Sequence, residues 1–217
     1  MERAAHPRTP QHGEGALSAP VLAVYGGSFN PPHVGHVLAA AYVLTAEPID
    51  RLLVVPCFAH PFGKRLEPFE HRFRMCELAF DGLERVEIST VERDLGGPSL
   101  TVRTLEALAA RHPGARFRLV VGTDVLDEAH RWVDFERIVS LAPLFVVARS
   151  GHPWPPPPYP PGVPDPPPAR ALELPEVSST ELRALLSDRQ PTSGLLPHRV
   201  RHHVDAHHLY RGQDRPT

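Results

Sequence analysis

Short apolar runs recur along this chain, each followed by a stretch in which apolar residues return every three or four positions. The first run, Val21-Leu22-Ala23-Val24-Tyr25, suits a buried strand and is too short for a helix. Similar runs predict strands at 51–56, 86–90, 116–121, 144–148 and 171–174. The spacing between them predicts helices at 34–45, 68–81, 99–111, 125–140, 179–187 and 197–208. Alternating strands and helices imply a parallel sheet with helices on both faces, because parallel neighbours must be joined by crossovers. In such sheets a ligand sits beyond the carboxyl ends of the strands, where the strand order reverses.

One stretch breaks the alternation. Residues 152–168 include eleven prolines in seventeen positions, too many for a helix or a central strand. A polyproline-II-like surface loop is expected there. It is either a ligand for a proline-recognising partner or a rigid excursion between two core elements; the second reading is preferred, because nothing else in the chain suggests signalling.

Composition narrows the class. A chain of 217 residues, 41% of them hydrophobic, can bury a sizeable core. The expected organisation is one domain over 21–212, interrupted by the proline loop, with loose tails at 1–20 and 213–217. A formal charge of −2 argues against broad nucleic-acid binding. Cys57 and Cys76 make neither a disulfide framework nor a zinc set, which points to a reducing compartment. The first twenty residues lack the apolar core of a signal peptide, and no run is long enough to span a membrane. A cytoplasmic location is expected, with no membrane or nucleic-acid partner.

The segment directly after the first run carries the chemistry: Gly26-Gly27-Ser28-Phe29-Asn30-Pro31-Pro32-His33-Val34-Gly35-His36. Two glycines on a strand-to-helix turn let backbone N–H groups approach an anion closely, and the helix N-terminus adds free N–H groups and a positive dipole end. Phosphate is the anion such turns most often hold. Neither the lysine-bearing Walker pattern nor the Gly-x-Gly-x-x-Gly dinucleotide fingerprint is spelled here. His33 and His36, three residues apart, share the first-turn face of the helix and can point into one pocket.

This His-x-Gly-His signature resembles that of the nucleotidylyltransferase superfamily, and the full string is most similar to the nicotinate/nicotinamide mononucleotide adenylyltransferases. The resemblance implies a Rossmann-like, doubly wound α/β fold. It implies an enzyme that transfers the adenylyl group of ATP to nicotinate mononucleotide, releasing pyrophosphate and the deamido-NAD dinucleotide of NAD biosynthesis. A second segment, Val177-Ser178-Ser179-Thr180-Glu181-Leu182-Arg183, resembles the family's Ser-Ser-Thr-x-Ile-Arg helix start, with Leu182 in place of isoleucine. There a serine or threonine can cap a helix and Arg183 offers a planar fork to phosphate oxygens.

The resemblance assigns further roles. His36, His33, Lys64 and Arg183 become the catalytic set; Gly26, Gly27, Ser28, Phe29, Ser179 and Thr180 hold ATP and its phosphates. Thr101, Asp124, Trp132 and Val133 hold the mononucleotide. Asp124, in Gly122-Thr123-Asp124, either caps a helix or accepts ribose hydroxyls; in the family it does the second. Trp132 is either a core residue or a face on which the pyridine ring stacks. Backbone amides near Thr101 and Val133 are where the family grips the nicotinate carboxylate, although Leu100 replaces the usual tyrosine and Val133 is often aromatic in relatives. Lys64 sits in Pro61-Phe62-Gly63-Lys64, where relatives read Pro-Pro-His-Lys, so the loop's shape should differ. Arg72 is expected to support structure and not to touch substrate.

Mg²⁺ is the implied cofactor, bound mainly through ATP phosphates, and no all-protein metal site is expected. In the histidine-rich end, His198/His202 and His203/His207 fall at the i,i+4 spacing that can chelate a metal. An exposed helix face explains them more simply. Alternative functions are an adenylyltransferase preferring nicotinamide mononucleotide or phosphopantetheine, and a non-catalytic nucleotide-binding protein. Oligomeric state is not legible from the sequence.

Overall fold

The computed structural model describes residues 19–126, 131–154, 157, 162–165 and 173–211. Of the expected tails only Ala19 and Pro20 lie among these residues; residue 212 at the end of the expected domain and most of the proline loop lie outside them. The element order is β1 Val21–Gly27, α1 Val34–Ala46, β2 Arg51–Pro56, α2 Phe69–Phe80, β3 Val86–Ile88, α3 Val91–Leu95, α4 Thr101–Arg111, β4 Arg116–Gly122, α5 Thr123–Leu126, α6 Phe135–Leu141, β5 Leu144–Arg149, β6 Glu173–Leu174, α7 Ser179–Ser187 and α8 His198–Ala206.

All the strands are parallel, in the order β3-β2-β1-β4-β5-β6. The order reverses between β1 and β4, so this doubly wound sheet has its switch point where those two strands end. β2 is buried at Leu52, Leu53, Val54 and Val55 because helices cover both of its faces. Alternate side chains feed different cores. Leu22, Val24, Leu53 and Leu119 join Leu105 and Leu108 of α4 and Ile138 of α6. Ala23, Leu52, Val54 and Val120 join Ala40 and Val43 of α1 and Phe80 of α2. A third cluster closes α7 and α8 onto Met75 of α2, with Leu209 and Tyr210 at its end.

The structure corrects the sequence reading at three places. The single helix expected at 125–140 is broken: α5 ends at Leu126, and α6 starts after Asp134, whose backbone is left-handed at φ 55°. The Asp134 carboxylate accepts the Arg137 N–H at 3.3 Å and caps the new helix, a local bond that competes with helix continuation. The strand expected to run to Thr90 stops at Ile88, and the short α3 follows. The proline loop is not wholly a surface excursion. Its start folds back through a bridge between Arg149 and His152, and Trp154 and Val163 pack against the first core. Cys57 and Cys76 are both free and buried. Among the described residues no helix is long and apolar enough to cross a membrane.

Candidate active site

Beyond the ends of β1 and β4 lies a cleft of about 740 Å³, a size suited to a small-molecule ligand. Gly26, at the end of β1, has open space where a side chain would stand, so the backbone is bare toward the cleft. At Gly27 a Cβ would come within 3.1 Å of the Phe29 ring, which folds back under the turn. Phe29 has φ 45°, unusual for a residue with a side chain. Packing holds it there: the ring is 1% exposed and meets Tyr25 at 5.6 Å, Phe80 at 6.2 Å and His36 at 4.9 Å. Its side chain therefore supports the histidine from behind.

His33 is the N-cap residue of α1 and His36 lies in the first turn. Their rings are 3.7 Å apart between centroids. Nδ1 of His36 accepts the backbone N–H of His33 at 3.1 Å. A neutral ring that accepts at Nδ1 carries its proton on Nε2, so His36 presents a donor at its other edge. Both rings favour the neutral form. Burial, with the nearby Arg149 cation, lowers the His33 pKa to about 3. Burial, then His33 and Arg149, holds His36 well below the usual histidine value. Nδ1 of His33 is buried and without a hydrogen-bond partner among the described residues.

The second motif is tied to the first. Ser178 caps α7 by accepting the Thr180 N–H at 3.2 Å. Ser179 donates to the Pro31 carbonyl at 3.0 Å, and Arg183 donates to the Asn30 carbonyl at 3.0 Å and the Thr180 hydroxyl at 3.1 Å. A guanidinium has five N–H donors, so Arg183 retains others for the cleft it lines. Arg72 is 1% exposed and donates to carbonyls of Glu67 at 2.8 Å, Ser28 at 3.0 Å and Phe58 at 3.4 Å. It braces the turn from within, the supporting role its sequence context suggested.

On the far side of the switch point, Asp124 stands at the end of β4 and opens α5. Its Oδ2 pairs with Arg149 Nη1 at 2.5 Å, and Arg149 Nη2 donates to the Val177 carbonyl at 3.1 Å. Oδ1 of Asp124 is buried with no partner among the described residues. Gly122 has no room for a side chain, because a Cβ would overlap the Asp124 carboxylate. Trp132 is half-buried, meets Phe135 edge-on at 6.3 Å and lines the cleft. Thr101 lines it too, at the start of α4, where the N-cap residue Leu100 brings no capping side chain. Lys64 lies on the exposed loop after β2; the neighbouring Phe62 receives the Arg131 guanidinium at 4.6 Å.

Of the residues singled out in the sequence, His33, His36, Lys64, Arg183, Gly26, Gly27, Ser28, Phe29, Ser179, Thr180, Thr101, Asp124 and Trp132 all line this cleft. Val133 does not; its side chain is 57% exposed. Sequence reasoning missed Arg149, which joins Asp124 to Val177 in the segment leading into α7. Its signal was weak: one arginine at the end of an apolar strand run. It also missed Glu92 of α3, which accepts from the Phe58 N–H at 3.0 Å and the Thr104 hydroxyl at 2.9 Å beneath the lysine loop.

Residues 24–185 match the cytidylyltransferase-like family model. The chain is 46% identical over 194 residues to a "probable nicotinate-nucleotide adenylyltransferase" of Anaeromyxobacter dehalogenans, covering 88% of this chain and 97% of that one. It is 40% identical over 190 residues to a protein of the same name from Myxococcus xanthus, covering 87% and 94%. A similar solved structure is the Plasmodium falciparum nicotinic acid mononucleotide adenylyltransferase complexed with NaAD. It has a TM-score of 0.71 at 17% identity and covers 88% of this chain and 97% of that one.

Proposed function

The chain belongs to the cytidylyltransferase-like family and within it to the nicotinate-nucleotide adenylyltransferases, and from this premise we infer what its cleft does. It transfers the adenylyl group of ATP to nicotinate mononucleotide, yielding the deamido-NAD dinucleotide and pyrophosphate. The observation that carries this reading is the convergence of three parts on one cleft. They are the bare turn at Gly26 and Gly27 with its paired histidines, the start of α7, and the Asp124–Trp132 side.

In the reaction an oxygen of the mononucleotide phosphate attacks the α-phosphorus of ATP. The new bond forms in line as the bond to the β-phosphate oxygen breaks, and pyrophosphate leaves with the electron pair. No protein nucleophile is needed, so the protein's contribution is position and charge. His36 donates from Nε2 to an α-phosphate oxygen as charge grows there. His33 and the amides of Gly27 and Ser28 hold the polyphosphate. Arg183, Ser179 and Thr180 grip it from the side of α7, and Lys64 balances its charge from the exposed loop. Asp124, with its unpartnered Oδ1, accepts a ribose hydroxyl of the mononucleotide, and Trp132 offers its face to the pyridine ring. The uncapped start of α4 at Thr101 suits the nicotinate carboxylate, since free N–H groups and the helix dipole both favour an anion.

The donors present fit a Mg²⁺ ion that arrives with the nucleotide. Asp124 is paired with Arg149 and Glu92 with Thr104, while the remaining polar side chains named above for the cleft are histidines, hydroxyls and cations, with no further carboxylate among the described residues lining it. Such a set leaves an ion to phosphate oxygens and water. When bound, Mg²⁺ neutralises phosphate charge.

The test is purified protein with ATP, Mg²⁺ and a panel of mononucleotides and phosphopantetheine, with products identified by mass. Deamido-NAD and pyrophosphate in equal amounts are expected. A dinucleotide formed only from another phosphate, or none at all, would overturn the assignment.

A further inference from the structure

We propose that His71, His203 and His207 form a binding site for an imidazole-seeking transition-metal dication of the zinc class, at the seam between α2 and α8. His203 and His207 lie one turn apart at the end of α8. His71 enters from the first turn of α2, more than a hundred residues away in the chain. One ring nitrogen from each histidine lies within 4.8 Å of the other two. His71 Nδ1 and His203 Nε2 are 3.2 Å apart. Around a tetrahedral ion with metal–nitrogen bonds of about 2.0–2.1 Å, ligand nitrogens sit roughly 3.3 Å apart. The first pair already has that separation. His207 is exposed, and rotation of its ring brings its nitrogen the remaining distance, leaving a fourth position open to water.

The ligand set decides the metal class. Three neutral nitrogens with no carboxylate suit zinc, cobalt, nickel or copper and do not suit Mg²⁺ or Ca²⁺. Two nearby cations are already engaged: Arg74 pairs with Glu77 at 2.8 Å, and Arg199 pairs with Asp81. A single proton shared between His71 and His203 also explains their 3.2 Å separation. It leaves the approach of His207 unexplained, and the experiment separates the two. The site lies outside the cleft but is tied to it. Arg72, next to His71, holds the Ser28 carbonyl, and Tyr210, just past α8, bonds Asn30. An ion at the seam would staple together the two elements that brace the phosphate turn.

The test uses the full-length chain without a histidine tag and measures Zn²⁺ binding by calorimetry at pH 7.5. One ion per chain is expected, with a rise in Tm on the order of 5 °C at a hundredfold excess over Kd, reversed by a chelator. H71Q, H203Q and H207Q should each weaken binding at least tenfold, while the H198Q/H202Q double variant binds as the parent does. Co²⁺ gives a readout on the unaltered protein, because a tetrahedral site produces intense visible absorption. Four results would each overturn the proposal: no saturable Zn²⁺ binding, binding undiminished in H71Q, loss confined to H198Q/H202Q, or a weak octahedral Co²⁺ spectrum. None of these readouts depends on adenylyl transfer, so the site and the function stand or fall separately.

Discussion

Gly35 lies so close to the His33 imidazole that a methyl group on it would stand 3.1 Å from Nδ1 and 3.2 Å from Cε1. The glycine between the two histidines is thus a spacing requirement. Gly35→Ala must push the His33 ring by a few tenths of an ångström, and the His36 ring, tilted against it at 3.7 Å, follows. We expect kcat to fall about tenfold, since small misplacements in a positioned site are costly, and stability to drop by about 1 kcal/mol. Steady-state kinetics and urea unfolding check both. An unchanged kcat would mean that the ring yields without consequence.

In the proposed mechanism, His36→Ala removes the donor aimed at developing charge. Turnover should fall roughly 100- to 1,000-fold, as on loss of one oxyanion-hole donor, with ATP affinity changed far less. Near-normal turnover would remove His36 from the proposed chemistry.

The pH dependence of stability follows from the same pair. Both histidines are held neutral in the folded protein, His33 down to about pH 3, whereas in the unfolded chain they protonate near pH 6.5. Below pH 6.5 the unfolded state therefore binds more protons, and stability is lost as pH falls toward the folded values. Each ring contributes up to about 1.4 kcal/mol per pH unit. Between pH 6.5 and 5, above most carboxylate titration, unfolding free energy should decline in the parent and decline less in H33Q and H36Q. Parallel profiles for all three proteins would contradict the assignment.

Nicotinate mononucleotide should be preferred over its amide. Free N–H groups at the start of α4 satisfy a carboxylate, whereas an amide turns its own NH₂ toward them or leaves one unpaired, at a cost of about 1–3 kcal/mol. That implies roughly tenfold or more in kcat/KM. Equal values for the two substrates would reject the carboxylate site while leaving adenylyl transfer intact.

Replacing residues 152–168 by a short Gly/Ser linker should destabilise the protein. Trp154 and Val163 pack against the core, and losing their burial costs roughly 2–4 kcal/mol. Loop length itself contributes little. Unfolding of the linker variant at the parental denaturant concentration would show that these contacts are dispensable.

The sheet was legible because its signals are local. Buried runs such as Leu52-Leu53-Val54-Val55 declare strands by themselves, and the turn after β1 spells its chemistry within eleven residues. Contacts created by packing were not legible. Arg149 meets Asp124 only because β5 lies beside β4, and His71 meets His203 only because α8 folds back on α2. The break before α6 was hidden for another reason: the apolar spacing of a helix gives no sign of the turn over residues 131–134 that ends in the left-handed Asp134.

Asn30 has bearing on how the protein is made. Its side chain accepts from the Tyr210 hydroxyl at 3.1 Å, and its carbonyl accepts from Arg183. These partners lie 180 and 153 positions further along. A ribosome delivers β1, α1 and the Arg72 brace early, yet the turn keeps only part of its support until nearly the whole chain has emerged. A nascent chain ending before α7 lacks both partners. A truncated product that folds its sheet would still lack the late contacts from Ser179, Arg183 and Tyr210 that finish the turn.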